Sequence, residues 1–267
     1  MEYNHFVNQL SSIVGLNLLD YKSKQMRRRL DSLMRRVGAE DYGAFLELLK
    51  RDSAELERLL DFLTINVSDF FRNPEKFAYL QEVVIPDLLA RGEGLKIWSA
   101  GCSIGLEPYS MNIMLAEMGQ PAGRHSILAT DLDDRALDRA RQAAYRVSEV
   151  KGINPARLNR FFSQQEDLLV LDDVVRDGIS FKKHNLLQDP YPSGFDLVIC
   201  RNVLIYFTDK AKARVIGGLA RSLRPGGVLF VGSTETIFDV DSHGLQVIAP
   251  FFYRRVISNT GERMNTL

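Results

Sequence analysis

Glu107 and Asp131 are the side chains of this sequence that first suggest chemistry, because Glu107 follows a short apolar run and a small-residue turn and Asp131 ends an apolar run. Glu107 lies in Leu95-Lys-Ile-Trp-Ser-Ala-Gly-Cys-Ser-Ile-Gly-Leu-Glu-Pro-Tyr-Ser110, which predicts a buried strand, a tight loop and a helix opening near Glu107-Pro108. Ala100, Gly101 and Gly105 carry little or no side chain, so a ligand can approach the backbone there. Asp131 closes the β-prone run Ser126-Ile-Leu-Ala-Thr-Asp131, where an acid can accept hydrogen bonds from a ribose diol. No Gly-Lys-Ser/Thr follows the glycines, which excludes a P-loop. The loop also lacks the full G-x-G-x-x-G of a pyrophosphate site, and Glu107 would repel that group. A zwitterion bearing a cationic sulfonium, S-adenosylmethionine, fits best.

Further candidates fall at the ends of other predicted elements. Asn185-Leu186-Leu187 offers a side-chain amide and a backbone N–H to an adenine. Arg201 and Asn202 stand at the C-terminal end of the run Phe195–Val203, the edge at which open α/β sheets bind ligands. Ile205-Tyr206-Phe207 continues over that edge. Asn66, Ser68 and Arg72 surround adjacent phenylalanines in Thr64–Pro74, a segment that reads as an interdomain turn or as polar lining for a cleft. Asp189-Pro190-Tyr191-Pro192 precedes its strand, the wrong side for an amino-methylating motif.

Helices and strands must position these groups. Residues 1–65 read as successive helices. In the second, Met26, Leu30, Leu33, Met34 and Val37 share one face, Gly38 ends it, and Lys24, Arg28 and Arg35 lie opposite. Seven basic residues and one acid fall between Lys22 and Arg36, a pattern that fits a solvated face or a docking face. Ser53 is the expected cap of a later helix, and Asn73 with Pro74 the start of one running to about Arg91. Leu168–Leu171 and Ile179–Phe181 predict a small hairpin. A helix over Asp209–Leu223, a Pro-Gly-Gly turn, a strand Val228–Gly232 and a closing strand Phe251–Val256 complete the chain.

Composition bounds the rest. The 267 residues are 45% hydrophobic, enough for one large or two smaller cores. Net charge is zero and the pI about 6.9, so no overall field draws the chain to nucleic acid or anionic lipid. No apolar run nears the ~18 residues of a membrane span, and no signal-peptide pattern opens the chain. Two cysteines, Cys102 and Cys200, and four scattered histidines give no metal-ligand spacing, so no metal site is expected. A reduced, cytoplasmic monomer is expected.

In order, Asn-Val-Ser-Asp-Phe-Phe-Arg (66–72), Trp-Ser-Ala-Gly-Cys-Ser-Ile-Gly-Leu-Glu-Pro-Tyr-Ser (98–110), Ala-Thr-Asp-Leu-Asp (129–133), Asn-Leu-Leu (185–187), Cys-Arg-Asn-Val-Leu-Ile-Tyr-Phe (200–207) and Val-Gly-Ser-Thr-Glu (231–235) form a set. By this set the chain resembles the bacterial chemotaxis receptor methyltransferases, the CheR family. The resemblance implies a class I S-adenosylmethionine methyltransferase sheet of α/β type, an N-terminal all-α domain and a small inserted β-subdomain. It implies a helical domain over 1–72, a linker helix over 73–92 and a methyltransferase domain over 93–267 with an insert at about 145–183. The implied activity is methyl transfer from S-adenosylmethionine to glutamates of chemoreceptor helices, giving methyl esters and S-adenosylhomocysteine in adaptation signalling.

Residue by residue, the resemblance assigns cofactor contacts to Asn66, Ser68, Arg72, Glu107, Asp131, Asn185, Leu186, Arg201 and Asn202, beside the Ala100-Gly101 backbone. It sets Arg72 and Tyr206 beside the transferred methyl, and the basic residues Lys24, Arg28 and Arg35 against acidic receptor helices. Ile104 and Leu106 depart from the usual Ser-Thr-Gly-Glu-Glu-Pro-Tyr loop, while Glu107 keeps its second glutamate. Residues 163–180 lack the glycine-rich pattern used to dock a receptor's C-terminal pentapeptide, which implies recognition without that tether. Two other readings use the same residues, a non-catalytic cofactor-binding module and a small-molecule methyltransferase. The pair Arg72 and Tyr206 argues against the first, the charged helical domain against the second.

Overall fold

The computed structural model describes residues 1–63, 68–121 and 123–256. In chain order the first elements are α1 (Tyr3–Val14), α2 (Ser23–Arg36), α3 (Tyr42–Arg51) and α4 (Ser53–Leu63). There follow α5 (Pro74–Tyr79), a π-helical turn (Leu80–Val84), α6 (Ile85–Leu89), β1 (Lys96–Ala100), α7 (Leu106–Glu117) and β2 (Ser126–Asp131). Next come α8 (Asp134–Gln142), β3 (Ala144–Arg146), α9 (Pro155–Phe161), β4 (Phe162–Gln165), β5 (Leu168–Leu171) and α10 (Asp173–Arg176). The last are β6 (Ile179–Lys183), β7 (Phe195–Cys200), α11 (Asp209–Ser222), β8 (Leu223–Val231), β9 (Leu245–Ala249) and β10 (Phe252–Arg255). The described residues divide into two compact units, one of 1–63 with 203–215, the other of 68–202 (Ala122 excepted) with 216–256.

The first unit is a helical bundle whose periodic apolar residues meet. Phe6, Val7 and Leu10 of α1, Met26, Leu30 and Leu33 of α2, and Phe45, Leu46 and Leu49 of α3 are buried. Asp41 caps α3 by accepting from the Ala44 N–H at 2.8 Å. Asp52, rather than the expected Ser53, caps α4, taking the Ala54 and Glu55 N–H groups at 2.9 and 3.1 Å. A carboxyl group one position earlier reaches both donors with a single oxygen. Residues 203–215 are stitched to the stretch after α1. The Lys22 N–H donates to the Tyr206 carbonyl at 2.9 Å and the Thr208 N–H to the Asp20 carbonyl at 2.8 Å. Arg214 pairs with Asp20 at 2.9 Å, and the rings of Tyr21 and Phe207 meet edge-on at 5.3 Å.

The second unit is built on a seven-stranded sheet in the order β6-β2-β1-β7-β8-β10-β9. The strands from β6 through β8 run parallel, and β10 and β9 add antiparallel pairs at one edge. Parallel strands need both faces covered, and β7 accordingly is buried at every position. Trp98 of β1 is fully buried and donates its indole N–H to the Thr130 hydroxyl on β2 at 2.9 Å. Strand order reverses between β1 and β7, which places the expected ligand edge at their C-terminal ends.

Four expectations are corrected. Leu168–Leu171 pairs with β3 and β4 in a separate three-stranded sheet, not with Ile179–Phe181, which joins β2 as an edge strand of the main sheet. The alternation of Ile179 and Phe181 suits either neighbour, and the strand pairs in parallel with β2, Ile179 beside Ile127 and Phe181 beside Ala129. Pro225-Gly226-Gly227 lies inside β8, where the register with β7 shifts, instead of forming a turn before it. β9 was not anticipated. The helix from Pro74 contains the π-turn because Pro86 has no N–H to continue the regular ladder, and Ile85 donates to the Leu80 carbonyl instead.

Candidate active site

The glycine loop between β1 and α7 is held by backbone bonds to β2. The Gly101 and Cys102 N–H groups both donate to the Thr130 carbonyl, at 2.7 and 2.9 Å. Gly105 adopts φ 90°, and a Cβ there would stand 2.9 Å from that of Ala140, so both conformation and space require glycine. Ser103 takes φ 49° and donates its N–H to Asp131 Oδ2 at 2.7 Å, while the Asp133 N–H donates to Oδ1 at 3.0 Å. Burial pushes the Asp131 carboxyl above its ordinary pKa, and those two N–H groups pull it back.

Glu107 sits in the first turn of α7, where the helix N-terminus favours a carboxylate. It accepts from the Ser99 hydroxyl at 2.7 Å and pairs with Arg201 Nη1 at 3.5 Å. Burial raises its pKa, opposed first by the Arg201 charge. Arg201, at the end of β7, donates Nη2 to the Arg72 carbonyl and to Asn73 Oδ1, both at 2.7 Å, and its guanidinium lies 4.8 Å from the Phe230 ring centre. Burial lowers its pKa while Glu107 raises it. Cys102 and Cys200 are buried thiols pushed well above their ordinary pKa by desolvation, which leaves them inert as nucleophiles.

Arg72 is positioned by its neighbours. Phe70 packs edge-on against Tyr145 and Phe162, with ring centres 5.6 and 5.7 Å away. Phe71, at φ 51°, donates its N–H to the Ser110 hydroxyl at 2.9 Å and lies under the Arg157 guanidinium at 3.8 Å. Arg157 is fixed in turn by two 2.8 Å bonds to Glu117. Asn73 was expected as a helix cap. Instead it adopts φ 60° and gives its side-chain oxygen to Arg201, because a buried guanidinium needs acceptors more than a first-turn N–H does.

The remaining candidates fall as follows. Ser68 is half-buried, and Asn66 lies outside the described residues. Asn185 Oδ1 accepts from the Leu187 N–H at 2.9 Å, and the Leu186 carbonyl accepts from the Tyr191 hydroxyl at 2.5 Å. Tyr191 thus belongs to a structural turn, its ring packed edge-on to Trp98. Asn202 follows Arg201 at φ 61°. Glu107, Asp131, Arg201, Asn202 and the Arg72 backbone therefore belong to one unit, and lie at strand ends, in loops or, for Glu107, in the first helical turn at its ligand edge. Tyr206 belongs to the other unit, half-buried in a 3₁₀ turn, as do Lys24, Arg28 and Arg35, exposed on α2.

Ser99, Asn73, Ser103 and Glu235 escaped sequence reasoning as site residues. Glu235 is fully buried and accepts from the Asn202 and Gly232 N–H groups at 2.6 and 2.8 Å. Its sequence signal was an acid shortly after an apolar strand, in the Val231-Gly-Ser-Thr-Glu235 piece that contributes to the family resemblance without an assigned role.

The donor set fits S-adenosylmethionine. Each Asp131 oxygen has a further lone pair for a ribose diol, and Glu107 provides negative charge suited to a cationic ligand. The Nε of Arg201 is buried without a hydrogen-bond partner among the described residues, a donor that suits an anionic or carbonyl group. Among those residues there is no cluster of three His, Cys, Asp or Glu able to hold a metal, and no helix long and apolar enough to cross a membrane.

Sheet order, loop and donor set together define an S-adenosylmethionine-dependent methyltransferase, and comparison with known proteins narrows the class. Residues 66–249 match the family described as CheR methyltransferase, SAM binding domain, and residues 1–64 match its all-alpha domain. The chain is 40% identical over 253 residues to a chemotaxis protein methyltransferase of Listeria innocua, covering 94% of this chain and 96% of that protein. Identity to the chemotaxis protein methyltransferase of Salmonella typhimurium is 34%, over 83% of this chain and 78% of that one. The corresponding protein of Escherichia coli is 33% identical, over 83% and 79%. This chain belongs to the CheR methyltransferase family, with S-adenosylmethionine as its cofactor.

Proposed function

We propose that this enzyme methylates glutamate side chains on the cytoplasmic helices of chemoreceptors, in chemotactic adaptation. The reading is carried by the convergence of Glu107, Asp131 and Arg201 at one sheet edge in a chain of this family. When bound, S-adenosylmethionine supplies a methyl group whose C–S bond breaks as the bond to a carboxylate oxygen forms, leaving S-adenosylhomocysteine.

The chain's own residues bind and align. Asp131 holds the ribose diol, while Ala100 and Gly101 allow close backbone approach. Asn185 and Leu186 hold the adenine by side-chain amide and backbone N–H. Glu107, Arg201, Asn202, Asn66, Ser68 and Arg72 hold the amino-acid end. A substrate carboxylate is ionised at neutral pH, with an ordinary pKa near ~4.3, so no general base is required. Alignment can supply up to roughly 7–11 kcal/mol of the barrier. Arg72 and Tyr206 orient the carboxylate, Tyr206 with a neutral hydrogen bond that leaves its lone pairs reactive.

Lys24, Arg28 and Arg35 meet the acidic receptor helices, without a pentapeptide tether, and the enzyme works as a cytoplasmic monomer. The helical domain precedes a linker helix from Pro74 and the methyltransferase domain, whose inserted subdomain is the three-stranded sheet of β3, β4 and β5. The test is transfer of labelled methyl to chemoreceptor-containing membranes. Base-labile label on the receptor is the expected result. Label on small acceptors alone, or none, overturns the reading. With Tyr206→Phe, S-adenosylhomocysteine should still bind while single-turnover transfer slows about tenfold or more. An unchanged rate would return Tyr206 to a packing role.

A further inference from the structure

Glu235 lies on the loop after β8 and has no exposed surface. One of its oxygens, Oε2, receives two backbone N–H groups from separate segments, Gly232 at 2.8 Å and Asn202 at 2.6 Å. The Asn202 donor stands closer than the usual amide-to-oxygen range and the Gly232 donor within it. The loop is shaped around this contact. The Glu235 N–H returns to the Gly232 carbonyl at 2.9 Å, so the two residues hold each other. A Cβ on Gly232 would fall 2.4 Å from Oε2 and 2.9 Å from the Asn202 nitrogen, so only glycine admits the carboxylate. Further along, the buried Ile237 donates its N–H to the Tyr253 hydroxyl at 3.0 Å, which fixes the far side of the loop.

Asn202 needs such a hold. It stands at φ 61°, a left-handed conformation that costs energy for any residue with a side chain, although Asn tolerates it better than most. Arg201, immediately before it, makes the bonds to Arg72, Asn73 and Glu107 described above. The left-handed kink sets the direction in which the Asn202 side chain leaves the strand end.

We infer that Glu235 is a positioning residue for methyl transfer: its buried carboxylate clamps the Asn202 backbone in the left-handed turn, so that Asn202 and Arg201 present their side chains to the cofactor. The inference rests on the reading of Arg201 and Asn202 as cofactor contacts.

The test uses the full-length enzyme and titration calorimetry with S-adenosylmethionine and S-adenosylhomocysteine. Glu235→Ala removes the acceptor, and both ligands should bind about tenfold more weakly or worse, the KM for S-adenosylmethionine rising with Kd. Glu235→Gln keeps one carbonyl oxygen able to accept both N–H groups and should recover most of that loss. Asn202→Ala alone should also weaken binding, and the Asn202→Ala/Glu235→Ala double variant should be no weaker than the worse single variant. Folded Glu235→Ala with wild-type affinity, or losses that multiply in the double variant, would overturn the inference. Where Glu235→Ala does not fold, the Gln variant decides, since a clamp predicts that Glu235→Gln with Asn202→Ala binds no more weakly than Asn202→Ala alone. Wild-type affinity in Asn202→Ala would instead sink the assignment of Asn202 to the cofactor, a separate failure.

Discussion

At the edge of the sheet, Glu107, Asp131, Arg201 and Glu235 set ionisable groups within the protein, each held by specific partners. On α2, Lys24, Arg28 and Arg35 carry charge in solvent, with Met26, Leu30 and Leu33 turned the other way into the bundle. The two arrangements obey different physics. A buried charge is costly to desolvate, so it survives only with a complete set of partners, and removing one partner exposes the full cost. An exposed charge costs little and adds little, but several of one sign steer an oppositely charged partner and weaken with salt.

The contrast is tested most severely at Arg201. Arg201→Met strips Glu107 and the Arg72 carbonyl of their donor, and breaking a buried pair typically costs about 3–5 kcal/mol. Urea denaturation should show a loss of that order together with loss of S-adenosylmethionine binding. A variant within ~1 kcal/mol of wild type would mean that the buried charges are less interdependent than their bonds indicate. Asp131→Ala comes next. A charge-assisted hydrogen bond contributes about 1.5–3 kcal/mol, so calorimetry should find binding roughly 10–100-fold weaker. Wild-type affinity would remove Asp131 from the ribose site.

Glu107 gives a smaller effect with a definite sign. Its pKa in the folded protein is raised, first by burial, so the native state holds its proton more tightly than the unfolded chain does. Stability from this group is complete below the ordinary carboxylate range and is lost as pH rises through the raised value. Glu107→Gln should therefore flatten the fall in melting temperature across that mildly acidic window. An identical slope in both proteins would assign the fall to other groups.

The sequence displayed the strand ends and the basic face because both follow local rules. Asp131 closes an apolar run, and Lys24, Arg28 and Arg35 alternate with Met26, Leu30 and Leu33 at helical spacing. Glu235 and Asn73 were not legible as site residues because their roles depend on partners 33 and 128 residues away. A loop acid and a residue before proline carry no mark of such a contact. The edge strand β6 failed for a related reason, since alternation shows that a strand exists but not which neighbour it joins.

The smallest effect on the folded enzyme is expected on α2. Changing Lys24, Arg28 and Arg35 together to Glu should leave cofactor affinity and thermal stability nearly unchanged, because no buried contact is lost. Receptor methylation should fall sharply, and the decline with rising ionic strength expected of the wild type should be absent from the triple variant. Wild-type receptor methylation in low salt by the triple variant would make the face simple solvation, and the comparison would lose its functional half.

The stitching of residues 203–215 onto Asp20–Lys22 has a consequence for how the protein is made. The ribosome delivers α1 through α4 first, but the Tyr206 carbonyl that receives the Lys22 N–H, and the ring that meets Tyr21, belong to residues synthesised far later. At ~5–20 residues per second, the roughly 150 residues between the end of α4 and residue 215 take about 7–30 s to emerge. Through that interval the nascent helical bundle lacks its last segment, and Asp20 and Lys22 are without the partners that segment supplies. Of the two units, the helical one is thus begun first and completed only once residues 203–215 have been made.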